Sequence, residues 1–84
     1  MAKVVRHSNI EKMQVLSYNT LALKDIQILC DCGLNKAREL KKKYFDYILQ
    51  KNIKLFHNEV YTDLFIEALN IDTQRIERYA KKGY

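Results

Sequence analysis

The sequence contains no proline and no tryptophan, and it has only two glycines. Folds with many strands need turn formers at short intervals, so their scarcity predicts a mainly helical protein. The two cysteines, Cys30 and Cys32, are too few for a disulfide scaffold and too close in sequence to pair without strain. The small number and close spacing of the cysteines favour reduced thiols and a cytoplasmic location for the protein. No apolar run is long enough to span a bilayer, so the sequence predicts no transmembrane helix.

The chain length of 84 residues allows one small domain and excludes most enzyme folds, whose sheets and clefts need longer chains. Hydrophobic residues make up 48% of the sequence and charged residues 30%, a composition that predicts a modest core rather than disorder. There is no glycine-rich phosphate loop, and Glu39 and Asp46 stand among lysines without a neighbouring base or nucleophile. We therefore expect a protein that is not an enzyme and needs no cofactor.

Apolar periodicity separates an N-terminal arm or short helix, residues 1–19, from one domain over residues 20–84. An apolar stripe at helical spacing predicts the first helix of this domain over residues 21–32. A second helix is predicted over residues 35–50, with its apolar side formed by Ala37, Leu40, Tyr44, Tyr47 and Ile48. Between the two helices we expect Gly33 to adopt a positive φ, which costs glycine no steric energy.

A small β-ribbon is predicted after the second helix. Ile53–Phe56 alternates weakly between apolar and polar residues, His57–Glu59 suits a tight turn, and Val60–Tyr61 is expected to return as the second strand. Two more helices follow, the last one capped by Asp72. The predicted fold is therefore mainly α with a small two-stranded β-wing.

Positive charge is concentrated in one part of the chain. Residues 35–54 contain seven basic and two acidic residues, so this window alone accounts for the net charge of +5. Such a concentrated field is typical of a surface that binds a polyanion. A lysine-rich face that serves only solubility remains the simpler alternative.

A helix, a tight turn, a basic second helix and a small ribbon, in this order, are typical of a winged helix-turn-helix. The first helix braces the second, which enters a DNA major groove about 12 Å wide. Asparagine can pair with adenine and arginine with guanine, whereas lysine mostly contacts phosphate. The expected DNA-contacting residues lie on the outer face of the second helix and on the wing: Asn35, Lys36, Arg38, Glu39, Lys42, Lys43, Lys54, His57 and Asn58.

Three segments, Lys24–Leu40, Lys51–Leu55 and Val60–Phe65, resemble small excisionase-like proteins encoded by phages and integrative elements of Gram-positive bacteria. The resemblance implies a recombination directionality factor, which binds and bends attachment-site DNA so that an integrase excises the element from the host chromosome. Some relatives regulate transcription instead, which leaves RNA polymerase open as the alternative partner. Both functions imply double-stranded DNA as the ligand and the cytoplasm of a bacterial host as the location.

The chain departs from the pattern of that family at three places. Asn52 replaces the usual glycine after the second helix, Tyr61 replaces a proline, and Gly33-Leu34 replaces Ser-Lys at the start of the second helix. A domain of this size also buries a small DNA interface, so we expect tight binding to need self-association on repeated sites.

The two cysteines and the apolar residues near the C-terminus allow two other interpretations of the sequence. A zinc site needs two ligand pairs, and Cys30, Cys32 and His57 do not supply them. We therefore expect the cysteines to pack as small hydrophobic residues and expect no metal site. A protein-interaction module, such as an antirepressor, is the alternative from a different class. It requires an exposed apolar patch near the C-terminus, formed by Ile71, Ile76, Tyr79 and Tyr84.

Overall fold

The computed structural model describes residues 8–55 and 57–83. These residues form five α-helices and a two-stranded antiparallel sheet, which confirms the mainly helical class with a small sheet. In chain order the elements are α1 (Asn9–Leu16), β1 (Thr20–Leu21), α2 (Leu23–Cys30), α3 (Leu34–Gln50), β2 (Val60–Tyr61), α4 (Thr62–Leu69) and α5 (Thr73–Lys81).

Helix α1 begins at a capping box. The Ser8 hydroxyl accepts a hydrogen bond from the main-chain N of Glu11 at 3.1 Å, and the main-chain N of Ser8 donates to the Glu11 carboxylate at 3.3 Å. These bonds satisfy donors that a helix start otherwise leaves unpaired. The helix packs against α2 and α5 and buries Val15. The N-terminal segment therefore contributes to the same core as the rest of the chain.

The sheet joins two segments that are distant in the sequence. Strand β2 pairs with β1, so that Thr20 faces Tyr61 and Leu21 faces Val60. The predicted pairing of Val60–Tyr61 with Ile53–Phe56 is therefore wrong. Residues 53–55 are irregular, and Phe56 lies outside the described residues.

In the part of the chain that the structure describes, the second edge of β2 is bonded to the side chain of Tyr44 and not to a wing strand. The Tyr44 hydroxyl accepts a hydrogen bond from the main-chain N of Tyr61 and donates one to the carbonyl oxygen of Glu59, each at 3.1 Å. Alternate residues of a strand direct their main-chain groups to opposite edges, and Val60 uses the edge that pairs with β1. Tyr44 thus occupies the edge of β2 where a wing strand needs to bind.

The turn between α2 and α3 uses Asp31, not Gly33, as its left-handed residue. Asp31 caps the end of α2 with φ 51°, whereas Gly33 has φ −80° and ψ 177° and stands at the N-cap of α3. The prediction of a positive φ at Gly33 is therefore wrong. Aspartate tolerates the left-handed region better than most residues, and Lys12 of α1 holds its carboxylate with an Nζ–Oδ2 distance of 2.5 Å. This ion pair fastens the turn to α1.

The core draws side chains from every helix and from both strands. Its most deeply buried members are Ile26, Ala37, Tyr44 and Phe65, each fully inaccessible to solvent. Burying a large apolar side chain stabilises a fold by about 1.5–3 kcal/mol. Among residues 8–55 and 57–83 the buried apolar side chains are Val15, Leu21, Ile26, Leu29, Ala37, Tyr44, Ile48, Val60, Phe65 and Ile76.

The last helix begins where the sequence predicts its cap. The carboxylate of Asp72 accepts a hydrogen bond from the main-chain N of Arg75 at 3.0 Å. Helix α5 then packs chiefly on α1 through the buried Ile76, whereas α3 packs chiefly on α2 and α4. Helices α3 and α5 therefore pack chiefly on different neighbours.

Candidate nucleic-acid interface

Helix α3 has one face that is buried against the core and one face that is exposed to solvent. On the inner face, Ala37, Tyr44 and Ile48 are buried. Burial raises the pKa of the Tyr47 phenol, and the negative charge of Glu67 in α4 raises it further. All six α3 residues of the predicted site are exposed on the opposite face: Asn35, Lys36, Arg38, Glu39, Lys42 and Lys43. The scaffold thus fixes the helix while these side chains remain accessible.

Three of these residues share the centre of the exposed face. Asn35, Glu39 and Lys42 are separated by four and three residues, the spacing that aligns side chains along one side of a helix. At 1.5 Å per residue they extend over about 10 Å of the helix axis. An asparagine amide can bond both polar atoms of an adenine edge, and a glutamate accepts from the amino group of cytosine. Asn35 and Glu39 therefore offer groups suited to base edges near the centre of the face, and Lys42 adds a cation beside them.

Cationic side chains line both flanks of that centre. Arg38 lies on one flank beside the half-buried Lys41, and Lys36 and Lys43, seven residues apart, lie on the other. A major groove is bordered by two phosphate backbones, and lysine and arginine are their usual partners. The arrangement matches a helix lying in a groove with a backbone on each side.

Most of this positive charge is not neutralised within the protein. Among residues 8–55 and 57–83, no carboxylate lies within ion-pair distance of Arg38, Lys42 or Lys43. Lys36 lies 3.4 Å from the Glu39 carboxylate, but both side chains are more than half exposed. Exposed pairs of this kind contribute little to stability, about 0–1 kcal/mol, so either partner is readily released to another ligand.

The three site residues predicted on the wing lie instead in the loop between α3 and β2. Lys54, His57 and Asn58 are all exposed. Asn58 lines a shallow groove together with Asp46 and Leu49, which places it beside the C-terminal half of the exposed face of α3. Lys54 lines a different groove, next to Tyr61 and Leu64. The structure thus brings Asn58 alongside α3 and places Lys54 towards α4.

The cysteines are part of the packing around the turn. Cys30 and Cys32 are half-buried free thiols that pack against the core. Burial, with a smaller contribution from Cys32, raises the pKa of the Cys30 thiol to about 11. Burial also raises the pKa of Cys32. Among the described residues no three His, Cys, Asp or Glu side chains form a group that could hold a metal ion.

Two surface features were not predicted from the sequence. Leu49 is 79% exposed at the C-terminal end of the outer face of α3, although a leucine in an amphipathic helix is expected to be buried. The helical spacing places Leu49 on the polar side of α3, so the exposure of this leucine could have been predicted from the periodicity alone. The second feature is the one-sided charge of α5, which the sequence suggests only when its residues are placed on a helical wheel.

No family model, curated protein or solved structure matches this chain. The resemblance to excisionase-like proteins therefore stays a prediction from the sequence. In the described part of the chain no helix has both the length and the apolar character needed to cross a membrane.

Proposed function

We propose that this chain binds double-stranded DNA by inserting α3 into the major groove, in the manner of a helix-turn-helix protein. One observation carries the proposal: the outer face of α3 combines two side chains suited to base edges, Asn35 and Glu39, with exposed cations beside them and on both flanks. The inner face of the same helix is held by α2, α4 and the core. A recognition helix needs this rigid support, because side chains must be held in position to read base edges.

In the proposed complex, each side chain of α3 has a distinct role. Arg38 pairs with guanine and Asn35 with adenine. The Glu39 carboxylate exchanges its hydrogen bond from Lys36 for one from the amino group of cytosine. Lys42 and Lys43 contact phosphates and set the position of the helix. In place of a paired wing, the α3–β2 loop brings Asn58, His57 and Lys54 to an adjacent phosphate or to the minor groove.

We propose that the protein acts in a mobile genetic element as an excisionase. It binds and bends attachment-site DNA for an integrase in the cytoplasm of a bacterial host. The sequence resemblance supports this role, and self-association on repeated sites supplies the affinity that one small domain lacks. The alternative within the same class is a transcriptional regulator, for which RNA polymerase is the partner.

A protein-interaction module is the alternative from another class. It requires an exposed apolar patch at the C-terminal end of the chain, but Ile76 is only 8% exposed, and Ile71 and Tyr79 are half-buried. Tyr84 lies outside the described residues. The burial of Ile76 makes α5 part of the core and favours DNA binding over this alternative.

The proposal is tested by titrating the purified protein onto labelled DNA from the ends and the promoters of its own element, with random duplex as competitor, at two salt concentrations. Preference for the element ends, with several retarded bands, is expected for a cooperative excisionase. Preference for a promoter alone indicates a transcriptional regulator. Absence of binding even at low salt overturns the DNA-binding proposal and leaves the interaction module.

A further inference from the structure

Helix α5 carries a second cationic surface on one of its flanks. Arg75, Arg78 and Lys82 are exposed and are separated by three and four residues, so they form one stripe along the helix and its C-cap. We refer to these three residues as the α5 stripe. Tyr79 lies beside them, half-buried at the border between the stripe and the core.

The α5 stripe contains no negative charge. The acidic residue of this helix, Glu77, lies on the opposite flank and pairs with Lys81 at 3.5 Å. Among residues 8–55 and 57–83, no carboxylate lies within ion-pair distance of Arg75, Arg78 or Lys82. One flank of α5 is therefore neutralised within the protein, and the other presents three positive charges to solvent.

The ring of Tyr79 orders two of these cations. The guanidinium carbon of Arg75 and the Nζ of Lys82 each lie 5.7 Å from the ring centroid, one towards each end of the helix. A planar guanidinium held over an aromatic face keeps the N–H groups at its edge available, and the ring also restricts the Lys82 side chain. Less side-chain freedom is then lost when an anion binds, because these side chains are already partly ordered.

Helix stability does not explain the stripe. Cations are favourable near the C-terminus of a helix, which accounts for Lys82 and Arg78, but they are unfavourable in the first turn. Arg75 lies in the first turn of α5, where its main-chain N bonds to the cap residue Asp72. Within the protein the ring of Tyr79 is a partner for Arg75, and the exposed guanidinium remains accessible to an external anion.

We propose that the α5 stripe is a second contact to the phosphate backbone of duplex DNA, separate from the contacts of α3. This inference rests on the proposed function. Helix α5 packs chiefly on α1, whereas α3 packs chiefly on α2 and α4. In the proposed complex the stripe contacts phosphates outside the groove that α3 occupies. The longest dimension of the described protein is 38 Å, close to one turn of B-DNA at about 34–36 Å. The contacted phosphates therefore lie within about one helical turn of the central groove.

The test compares two duplexes: one limited to the footprint of α3 and one extended by about one helical turn, about 10 bp, on each side. The variant Arg75→Gln/Arg78→Gln/Lys82→Gln is expected to bind the short duplex like the wild type. On the extended duplex the slope of log K against log salt is expected to be smaller in magnitude by about 2.7 for this variant. Each of the three lost phosphate contacts reduces the magnitude of the slope by about 0.9.

Two control variants separate charge from other effects. Glu77→Gln/Lys81→Gln removes one charge of each sign from the opposite flank of the same helix and is expected to leave both slopes unchanged. Arg75→Lys/Arg78→Lys keeps all three charges of the α5 stripe and is expected to keep the wild-type slope. Thermal melting of all variants verifies folding, which these exposed positions are expected to preserve.

The inference and the proposed function fail in different ways. If Lys42→Ala flattens the salt dependence on both duplexes but the stripe variant changes neither slope, the α5 contact is overturned and the α3 interface stands. If the wild-type protein binds neither duplex at low salt, both are overturned. A reduced slope on the extended duplex alone supports the second contact.

Discussion

The hydroxyl of Tyr44 in α3 accepts a hydrogen bond from the main-chain N of Tyr61 in β2 at 3.1 Å. The same hydroxyl donates to the carbonyl of Glu59, so a single side chain of α3 fixes the end of the loop that follows this helix. The ring is fully buried and contacts Phe65 of α4 with 6.2 Å between ring centroids. Through this residue, the position of the α3–β2 loop is coupled to the position of α3.

Replacement of Tyr44 by Phe tests that coupling. The ring and its packing remain, but two main-chain groups lose their partner, which costs about 1–3 kcal/mol of unfolding free energy. Chemical denaturation is expected to show a lower midpoint with an unchanged slope. The exposed Tyr18, changed to Phe, serves as the control and is expected to leave the midpoint unchanged. Equal midpoints for Tyr44→Phe and the wild type contradict the role of the hydroxyl.

Arg38→Ala addresses base reading. If Arg38 pairs with a guanine, its loss is expected to cost about 1–3 kcal/mol on the preferred sequence and to relax the preference at one base pair. Binding to a set of single-base variants of the site measures both effects. Equal losses on specific and random DNA indicate that Arg38 contacts only phosphate.

Lys42→Ala addresses the electrostatic part of binding. We expect about five cations of α3 and its loop to engage phosphates on a short duplex, which gives a slope of log K against log salt near −4.5. Removal of Lys42 is expected to weaken all sequences about equally and to flatten that slope by about one. Lys81→Ala removes the same charge at a distant position and is the matched control. A sequence-dependent loss for Lys42→Ala assigns it to base reading instead.

Local patterns predict most of the helical structure, because a helix is stabilised by contacts between residues close in sequence. The apolar spacing around Tyr44 and Ile48 predicts the buried face of α3, and Asp72 is a cap that needs only the residues next to it. The exposure of the predicted α3 site residues follows from the same periodicity.

Features that depend on distant residues could not be predicted in this way. Strands of two residues carry almost no sequence signal, and the pairing of Leu21 with Val60 depends on how α2 and α3 fold back between them. The choice of Asp31 rather than Gly33 as the left-handed residue depends partly on Lys12 of a separate helix. The hydroxyl partners of Tyr44 are likewise visible only once the loop is in place.

The raised pKa of Cys30 predicts a pH-dependent stability. The folded state favours the neutral thiol, so this stabilisation is complete below the unfolded pKa of 9.0 and is lost as the pH rises towards about 11. Denaturation midpoints measured from pH 8 to pH 11 are expected to fall over this range, and to fall less in Cys30→Ala.

Alkylation of the thiol provides an independent check on that pKa. In a Cys32→Ser background, Cys30 is expected to react more slowly at pH 8 in the folded protein than in urea. Burial, the largest cause of the raised pKa of Cys30, remains in this variant and lowers the thiolate fraction, while the greater nucleophilicity of the thiolate recovers part of the rate. Equal rates in both states contradict the burial of Cys30.

DNA binding by this protein, as proposed, requires the outer face of α3 to be the surface that contacts the duplex. The most direct test is to follow the ¹H–¹⁵N resonances of the protein during titration with a duplex at low salt. We expect the largest shifts on the exposed residues of α3 between Asn35 and Lys43 and on the loop around Asn58. Unchanged resonances in this part of α3, with or without shifts elsewhere, contradict it.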